Sequence, residues 1–284
     1  MEVGNKKGSN MKRIAIIVRS RNDIEFAEHT LSAIRSQSVA DFSVHAFDNA
    51  STDGTRKVLE NHNIEIIDIP EGAYVPGKIL NLAVSKVQAD IYVFNNLDAI
   101  PQDSNWLKNL IAPVLNGDAD ISYARQTARK DALLWVRSDY AHAFPKGDAV
   151  SPEFFSMASS CVSAKVFEKI NFDESLKFSE DVMLVKTARE NNFKIAYVPS
   201  AVVEHSHNYD SESIVRRFTG EGVADSKIYG GKFTLLDAFR RIVSDSIRDI
   251  FVALKSGKIA QIPSAIKARY LQKMSYYKGR KGDK

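Results

Sequence analysis

The chain predicts an α/β fold: a mostly parallel central sheet flanked by helices, with a C-terminal helical extension. Three observations carry that prediction. Short apolar runs of strand character alternate with amphipathic segments of helical period as far as residue 115. The connections between them are short, as in strand–helix–strand units. The last third keeps a helical period only, with Phe239, Ile242, Val243, Ile247, Ile250, Phe251 and Leu254 on one apolar stripe.

In chain order, residues 13–18 read as a buried strand, Arg-Ile-Ala-Ile-Ile-Val. A helix over 23–37 follows, with Asn22 and Glu25 as a capping box and Ala27, Leu31 and Ile34 on one face. Residues 42–47 alternate like a strand. Ser51-Thr52-Asp53-Gly54-Thr55 then opens a short helix running to Asn61. A third strand covers 64–69, a third helix 77–87, a fourth strand 90–94 and a fourth helix 104–115. Residues 121–125 form a further strand. The stretch 126–160 is rich in aromatic, proline and charged residues, lacks a period and has the character of a lid. Helices over 161–170 and 179–191 come next, then a broken strand pair over 194–198 and 201–204. The apolar stripe of the last third is expected to pack on its own domain. A second amphipathic helix over 259–277 is expected to break near Pro263. Its Lys/Arg-rich polar side and its Tyr270, Tyr276 and Tyr277 suit a membrane interface.

With 284 residues, 44% apolar and 26% charged, the chain has the composition of a soluble globular protein. It has no apolar run near the roughly 20 residues that span a bilayer, and no charged-then-apolar leader. Cys161 is the one cysteine, so an intrachain disulfide is excluded and a reducing cytoplasm is suited. The net charge of +4 is uneven: from Lys255 onward nine Lys/Arg face one Asp. A basic tail on a mildly acidic body suits peripheral contact with an anionic membrane face; a solvated tail is the plainer reading and nucleic acid the weakest. The expected organisation is a disordered tail over 1–10, a catalytic domain over 11–230 and a helical, basic extension over 231–284.

Several constellations carry chemistry. Asn96 and Asp98 follow a buried strand, and side chains two apart on an extended chain share a face. A strand end is where an α/β sheet places its ligand crevice, so the pair can reach one divalent ion or one sugar diphosphate. Asp48-Asn49-Ala50-Ser51-Thr52-Asp53-Gly54-Thr55 offers short polar groups to a nucleotide, or simply caps its helix. Gly77-Lys78 opens a helix with a cation suited to a phosphate or to plain solvent. The Glu180-Asp181 pair at a helix start offers a general base, or complements the helix dipole. His205 and His207 can both face a metal if the chain there is extended, or sit as packed and surface residues. Cysteine clusters, a Walker loop, a strand-linked GxGxxG and a serine nucleophile elbow are all missing.

In this order the segments resemble the glycosyltransferase family 2 enzymes, and among them the rhamnosyltransferase-like bacterial group. The resemblance rests on residues 48–55, on Gly77, Lys78, Leu80 and Asn81, and on Asp98, Ala99, Pro101, Trp106 and Leu107. It extends through Arg125-Gln126, Phe154-Phe155-Ser156, Glu180-Asp181 and His205-Ser206-His207-Asn208-Tyr209, covering about residues 11–230. It implies the nucleotide-sugar-binding A-type fold and an inverting, metal-dependent transfer from a nucleotide-diphosphate sugar to a saccharide or lipid-linked saccharide. Bacterial surface polysaccharide, O-antigen or capsule, would be the product, made in the cytoplasm at the inner membrane face.

By the same resemblance Arg19, Asp48, Asn49, Lys78, Asn96 and Asp98 bind the donor. Asp98 and His205 hold Mn2+ or Mg2+, joined by Asn96 and, as second choice, His207. Asp181 is the catalytic base with Glu180 beside it, and Arg125 and Gln126 line the sugar or acceptor pocket. Asn96 departs from the family, where many members carry an Asp, so metal binding should lean more on the diphosphate. The rivals are a nucleotidyltransferase and a non-catalytic nucleotide-sugar-binding protein of the same fold. A nucleotidyltransferase usually has a Gly-rich loop after its first strand, where this chain reads Arg19-Ser20-Arg21-Asn22.

Overall fold

The computed structural model describes residues 12–69, 74–147 and 154–282; the tail over 1–10 and the start of order at Met11 lie outside the described residues. The first half alternates as its periodicity requires: β1 (Ile14–Ser20), α1 (Ile24–Arg35), β2 (Ser43–Asp48), α2 (Thr55–Asn61), β3 (Glu65–Asp68), α3 (Pro76–Lys86), β4 (Ile91–Asn96), the short β5 (Ile100–Pro101) and α4 (Trp106–Asn116). Then come β6 (Ile121–Thr127), α5 (Leu134–Ala143), β7 (Ser159–Ser163), α6 (Ala164–Phe167), α7 (Glu180–Glu190) and β8 (Ile195–Glu204). Three helices close the chain: α8 (Ser211–Tyr229), α9 (Leu235–Ser256) and α10 (Ile262–Lys281).

The sheet runs β3-β2-β1-β4-β7-β6-β8-β5. β1 pairs in parallel with β2 and β4, β2 with β3, and β6 with β8, while β7 lies antiparallel between β4 and β6. Both faces are covered, and the two-residue period of a strand divides its side chains between them. Ile16 and Val18 face one core with Leu31, Trp106 and Leu110. Ala15 and Ile17 face the other with Phe47, Phe94, Phe172 and Leu184.

Four local expectations are corrected. Residues 161–170 do not form one helix. Cys161 sits in β7, where it pairs with Val93 and Ser122, and the helix begins only at Ala164. The aperiodic 126–160 contains α5, whose buried Leu134, Trp135 and Val136 lie consecutively and so leave no helical period to read. The expected strand pair over 194–204 is one strand, bent by a register shift opposite Ala124/Arg125. The Asn22/Glu25 capping box does not form: Asp23 precedes the helix, and Asn22 turns away, its side-chain oxygen accepting from Thr52 N at 2.8 Å.

The C-terminal helices also depart from expectation. Pro263 does not break the last helix, because it occupies the first turn of α10, where a missing N–H costs nothing. α10 crosses α8 at close range through two glycines. A Cβ on Gly222 would lie 2.3 Å from Tyr276 O, and one on Gly279 would lie 2.2 Å from Thr219 O. The apolar stripe of α9 does not pack on its own domain; Phe239, Ile247, Phe251 and Leu254 are exposed.

Candidate active site

Strand ends meet at one rim. Ser20 pairs with Asp48 across β1 and β2, and Arg19 pairs with Asn96 across β1 and β4. Beyond β4 the chain turns sharply. Buried Asn95 ties that turn down, donating from Nδ2 to Asn96 O at 3.0 Å and to Ala99 O at 2.8 Å. The turn presents Asp98, which is buried.

β8 delivers the imidazoles to the same place. His205 follows its last residue and donates its backbone N–H to Thr127 O of neighbouring β6 at 3.0 Å. His205 Nε2 lies 3.5 Å and His207 Nε2 3.2 Å from Asp98 Oδ2. One ligand atom from each of the three residues falls within 4.8 Å of the others. Asp98 Oδ2 and His205 Nε2 are both buried without a hydrogen-bond partner. A buried oxygen anion and a ring nitrogen left facing each other fit a shared cation, because desolvated polar atoms need a partner.

Electrostatics favour the same reading. Burial pushes the pKa of His205 down to about 4, and burial also lowers that of His207, so both rings are neutral and able to ligate near neutral pH. Arg129 braces the cluster from behind. Its guanidinium stacks on Phe26 at 3.8 Å, lies 3.6 Å from Asp98 Oδ2, and donates to the carbonyls of Ser206 and Asp98.

Two adjoining cavities open at this rim. The larger, about 820 Å³, is lined by Gln126, Tyr140, Ser156, Glu180, Asp181 and His205 among others. The smaller, about 270 Å³, is lined by Arg21, Asp23, Asn49 and Asp98. Arg19, Tyr74, Asn96 and His207 line both. The carboxylate, the acid pair and the first imidazole therefore converge on connected space.

The acid pair sits at the start of α7, aimed by Ser179, whose φ of 59° is left-handed. Asp181 Oδ2 accepts from Met157 N at 3.1 Å and Oδ1 from Val182 N at 2.9 Å. Glu180 lies 3.7 Å from the Arg19 guanidinium. Burial, reinforced by the neighbouring Asp181, raises the pKa of Glu180 to about 7.

Other expected residues stand elsewhere. The Asp48 carboxylate is buried and committed to its own loop, accepting from Ser20 Oγ at 2.8 Å, Ser51 Oγ at 2.6 Å and Arg56 Nη1 at 3.0 Å. It lines neither cavity, whereas Asn49 does. Lys78 is exposed on α3 and lines neither cavity. Arg125 points away from both, as alternation along β6 demands when Gln126 points in. Asn96 lines both cavities, and its Oδ1 accepts from Arg19 Nη2 at 2.9 Å.

Sequence reasoning missed Asp23, which burial raises to about 6 in the smaller cavity, and Arg129. Asp23 stood as the first residue of the expected helix over 23–37, and Arg129 lies in the aperiodic stretch, so neither carried a signal. Arg217 and Glu221 of α8 also line the larger cavity, one helical turn apart. Their i, i+4 spacing was the available hint.

A two-sided sheet of this order, with carboxylate and imidazoles at the rim of its strand ends, is the A-type glycosyltransferase fold. The chain belongs to glycosyl transferase family 2, whose model matches residues 15–168. It is 28% identical over 225 residues to the O-antigen chain rhamnosyltransferase RfbN of Salmonella typhimurium, covering 74% of this chain and 72% of that one. It is 26% identical over 194 residues to the O-antigen chain rhamnosyltransferase WbaN of Salmonella anatum, covering 62% of this chain and 60% of the relative. Among solved structures it is similar in fold to the mannosyltransferase PcManGT from Pyrobaculum calidifontis, in complex with GDP-Man and Mn2+. That match has a TM-score of 0.68 and 14% identity, and covers 96% of this chain and 87% of that one. Glucosyl-3-phosphoglycerate synthase from Mycobacterium tuberculosis, in complex with Mn2+, uridine-diphosphate and glucosyl-3-phosphoglycerate, matches with a TM-score of 0.57 and 14% identity. That match covers 77% of this chain and 80% of the synthase.

Proposed function

We propose that the chain is an inverting, metal-dependent glycosyltransferase that moves a sugar from a nucleotide-diphosphate donor to a hydroxyl of a saccharide or lipid-linked saccharide. The names of its relatives favour rhamnose as the sugar and O-antigen as the product. The observation that carries the reading is the junction of the Asp98–His205–His207 cluster with the cavity holding Asp181. The transferase unit runs over 11–230, with 231–284 as its extension. Among the described residues no helix is long and apolar enough to cross a membrane. A cytoplasmic enzyme working at the inner face of the membrane suits a lipid-linked acceptor.

In this reading the donor's nucleoside occupies the smaller cavity, beside Asn49 and Asp23, and its sugar extends past Asn96 into the larger one. Asp98, His205 and His207 hold the cation. When bound, Mn2+ or Mg2+ supplies positive charge against the departing diphosphate; the mixed nitrogen and oxygen donor set suits Mn2+ better than Mg2+. Arg19, shared by both cavities, lies where it can steady the phosphates and the sugar. Asp181 takes the proton of the attacking hydroxyl. Two backbone N–H groups hold its carboxylate in one orientation; attack on the face opposite the departing diphosphate inverts the anomeric centre. Glu180, whose pKa burial and the neighbouring Asp181 raise to about 7, is partly protonated near neutrality, which lessens the negative charge beside Asp181.

The non-catalytic binding protein is favoured by Asn96 alone and disfavoured by the oriented Asp181. Thermal stabilisation by a panel of nucleotide sugars, with and without Mn2+, tests the reading. It predicts stabilisation by one donor that Mn2+ increases; no donor stabilising the fold in either condition would remove it.

A further inference from the structure

Helix α9 carries its amphipathicity in reverse. The residues it buries are small or polar: Ala238, Ser246, Asp249 and Ala253. Its large apolar side chains face outward. Leu236, Phe239, Val243, Ile247, Phe251 and Leu254 recur every three or four residues, share one face, and are each between 42 and 62% exposed. Ion pairs hold the inward side. Arg269, fully buried, donates to Asp249 Oδ2 at 2.7 Å, and Arg248 donates to Asp139 Oδ1 of α5 at 2.6 Å. Turning the stripe inward would break buried, partnered charges, so the helix keeps it out.

The fully exposed charge around the stripe has one sign. From 231 to 282 the acidic residues are Asp237, Asp245 and Asp249. Asp237 closes the capping box with Thr234, Asp245 holds Arg248 and Lys273, and Asp249 holds Arg269. The exposed charges are cations: Lys232, Arg240, Arg241, Lys255, Lys267, Lys278 and Lys281. By the 3.6-residue period Arg240 falls at the helical angle between Ile247 and Phe251, within the stripe near its edge.

We propose that this face of α9 is a docking surface for an anionic lipid membrane. The helix lies in the headgroup layer with Phe239 and Phe251 inserted and Arg240 and Arg241 on lipid phosphates. A second copy fits less well, because cations lie at both ends of the helix, Arg240 and Arg241 at one and Lys255 at the other, and meet cations of the partner in either direction of pairing. α10, the expected interfacial helix, packs Ala268, Gln272, Ser275 and Gly279 inside the molecule and leaves Ile266, Lys267 and Tyr270 exposed. α5 lies between α9 and the larger cavity: its Asp139 binds Arg248 and lines that cavity. A lipid surface at α9 is therefore one helix away from the acceptor space. Only this last link rests on the transferase reading.

The test is flotation of the full chain with vesicles of phosphatidylethanolamine and phosphatidylglycerol, against vesicles of phosphatidylcholine. The protein should float with the anionic vesicles, less so in high salt. Phe239→Ser with Phe251→Ser should cut partition at least tenfold, and Arg240→Gln with Arg241→Gln should cut it on anionic vesicles only. Circular dichroism and thermal melts establish that these exposed positions leave the fold intact. Wild-type protein that does not float, or a Phe239→Ser/Phe251→Ser protein that floats as well as wild type, would overturn the proposal. So would a dimer, seen by light scattering, that the same substitutions split. Donor stabilisation is read on the same samples. Flotation without it sinks the transferase reading and leaves the docking surface; stabilisation without flotation does the reverse.

Discussion

Gln126 Oε1 lies 2.9 Å from His205 Nδ1. A carbonyl oxygen only accepts, so the ring proton resides on Nδ1 and Nε2 turns its lone pair to Asp98. Ser156 Oγ, accepting from Gln126 Nε2 at 2.8 Å, sets the amide the right way round. Gln126→Leu should therefore weaken Mn2+ binding roughly 10- to 100-fold, the usual loss when a ligand's supporting bond is removed. Nucleotide binding without metal should survive. Calorimetric titration of Mn2+ into the protein with bound nucleoside diphosphate measures it.

Asp181→Asn keeps the size of the side chain and its acceptor for Met157 N, but cannot take a proton. Transfer should fall by about 10² to 10⁴, the range expected for a general base. Donor-induced stabilisation should be unchanged. Turnover at the wild-type level would remove Asp181 from its role.

Glu180 gives a pH signature. Its ordinary pKa of 4.5 rises to about 7 in the folded chain. The native state therefore holds a proton that the unfolded chain has released, and stability drains away as pH climbs from about 4.5 to about 7. The slope is at most about 1.4 kcal/mol per pH unit. Glu180→Gln removes this dependence. Its melting temperature should gain on wild type steadily between pH 5 and pH 7 and hold a constant lead above. Melts of the metal-free protein across that range decide it.

At the α8–α10 crossing, a methyl group has nowhere to go. Gly279→Ala or Gly222→Ala drives a Cβ onto backbone that cannot rotate aside. Each should cost more than about 2 kcal/mol, the scale of overpacking. Urea unfolding compares the variants; a midpoint equal to wild type would show that the crossing is looser than described.

Periodicity explains both what the sequence disclosed and what it hid. Short apolar runs disclosed β1 and β4, alternation disclosed β2, and the short connections between helices framed β3. β7 escaped because Ser159-Ser160-Cys161-Val162-Ser163 is nearly all small residues, which mark neither a strand nor a helix. For α9 the period revealed an apolar face but not what covers it. The site divides similarly. Asp98, His205 and Asp181 follow clear element boundaries. Asp48 and Lys78 carry the right chemistry, but their direction depends on turns that no local pattern encodes. Arg129 reaches Asp98 across 31 residues of chain, so only the fold could show it.

The central claim is that one cation cluster and one carboxylate together invert a sugar. The most direct measurement is the anomeric configuration of product formed from nucleotide-diphosphate rhamnose and a saccharide acceptor, followed by NMR with Mn2+ and with EDTA. The account predicts product of inverted configuration with Mn2+ and little with EDTA. Product of retained configuration, or equal turnover in EDTA, would contradict it.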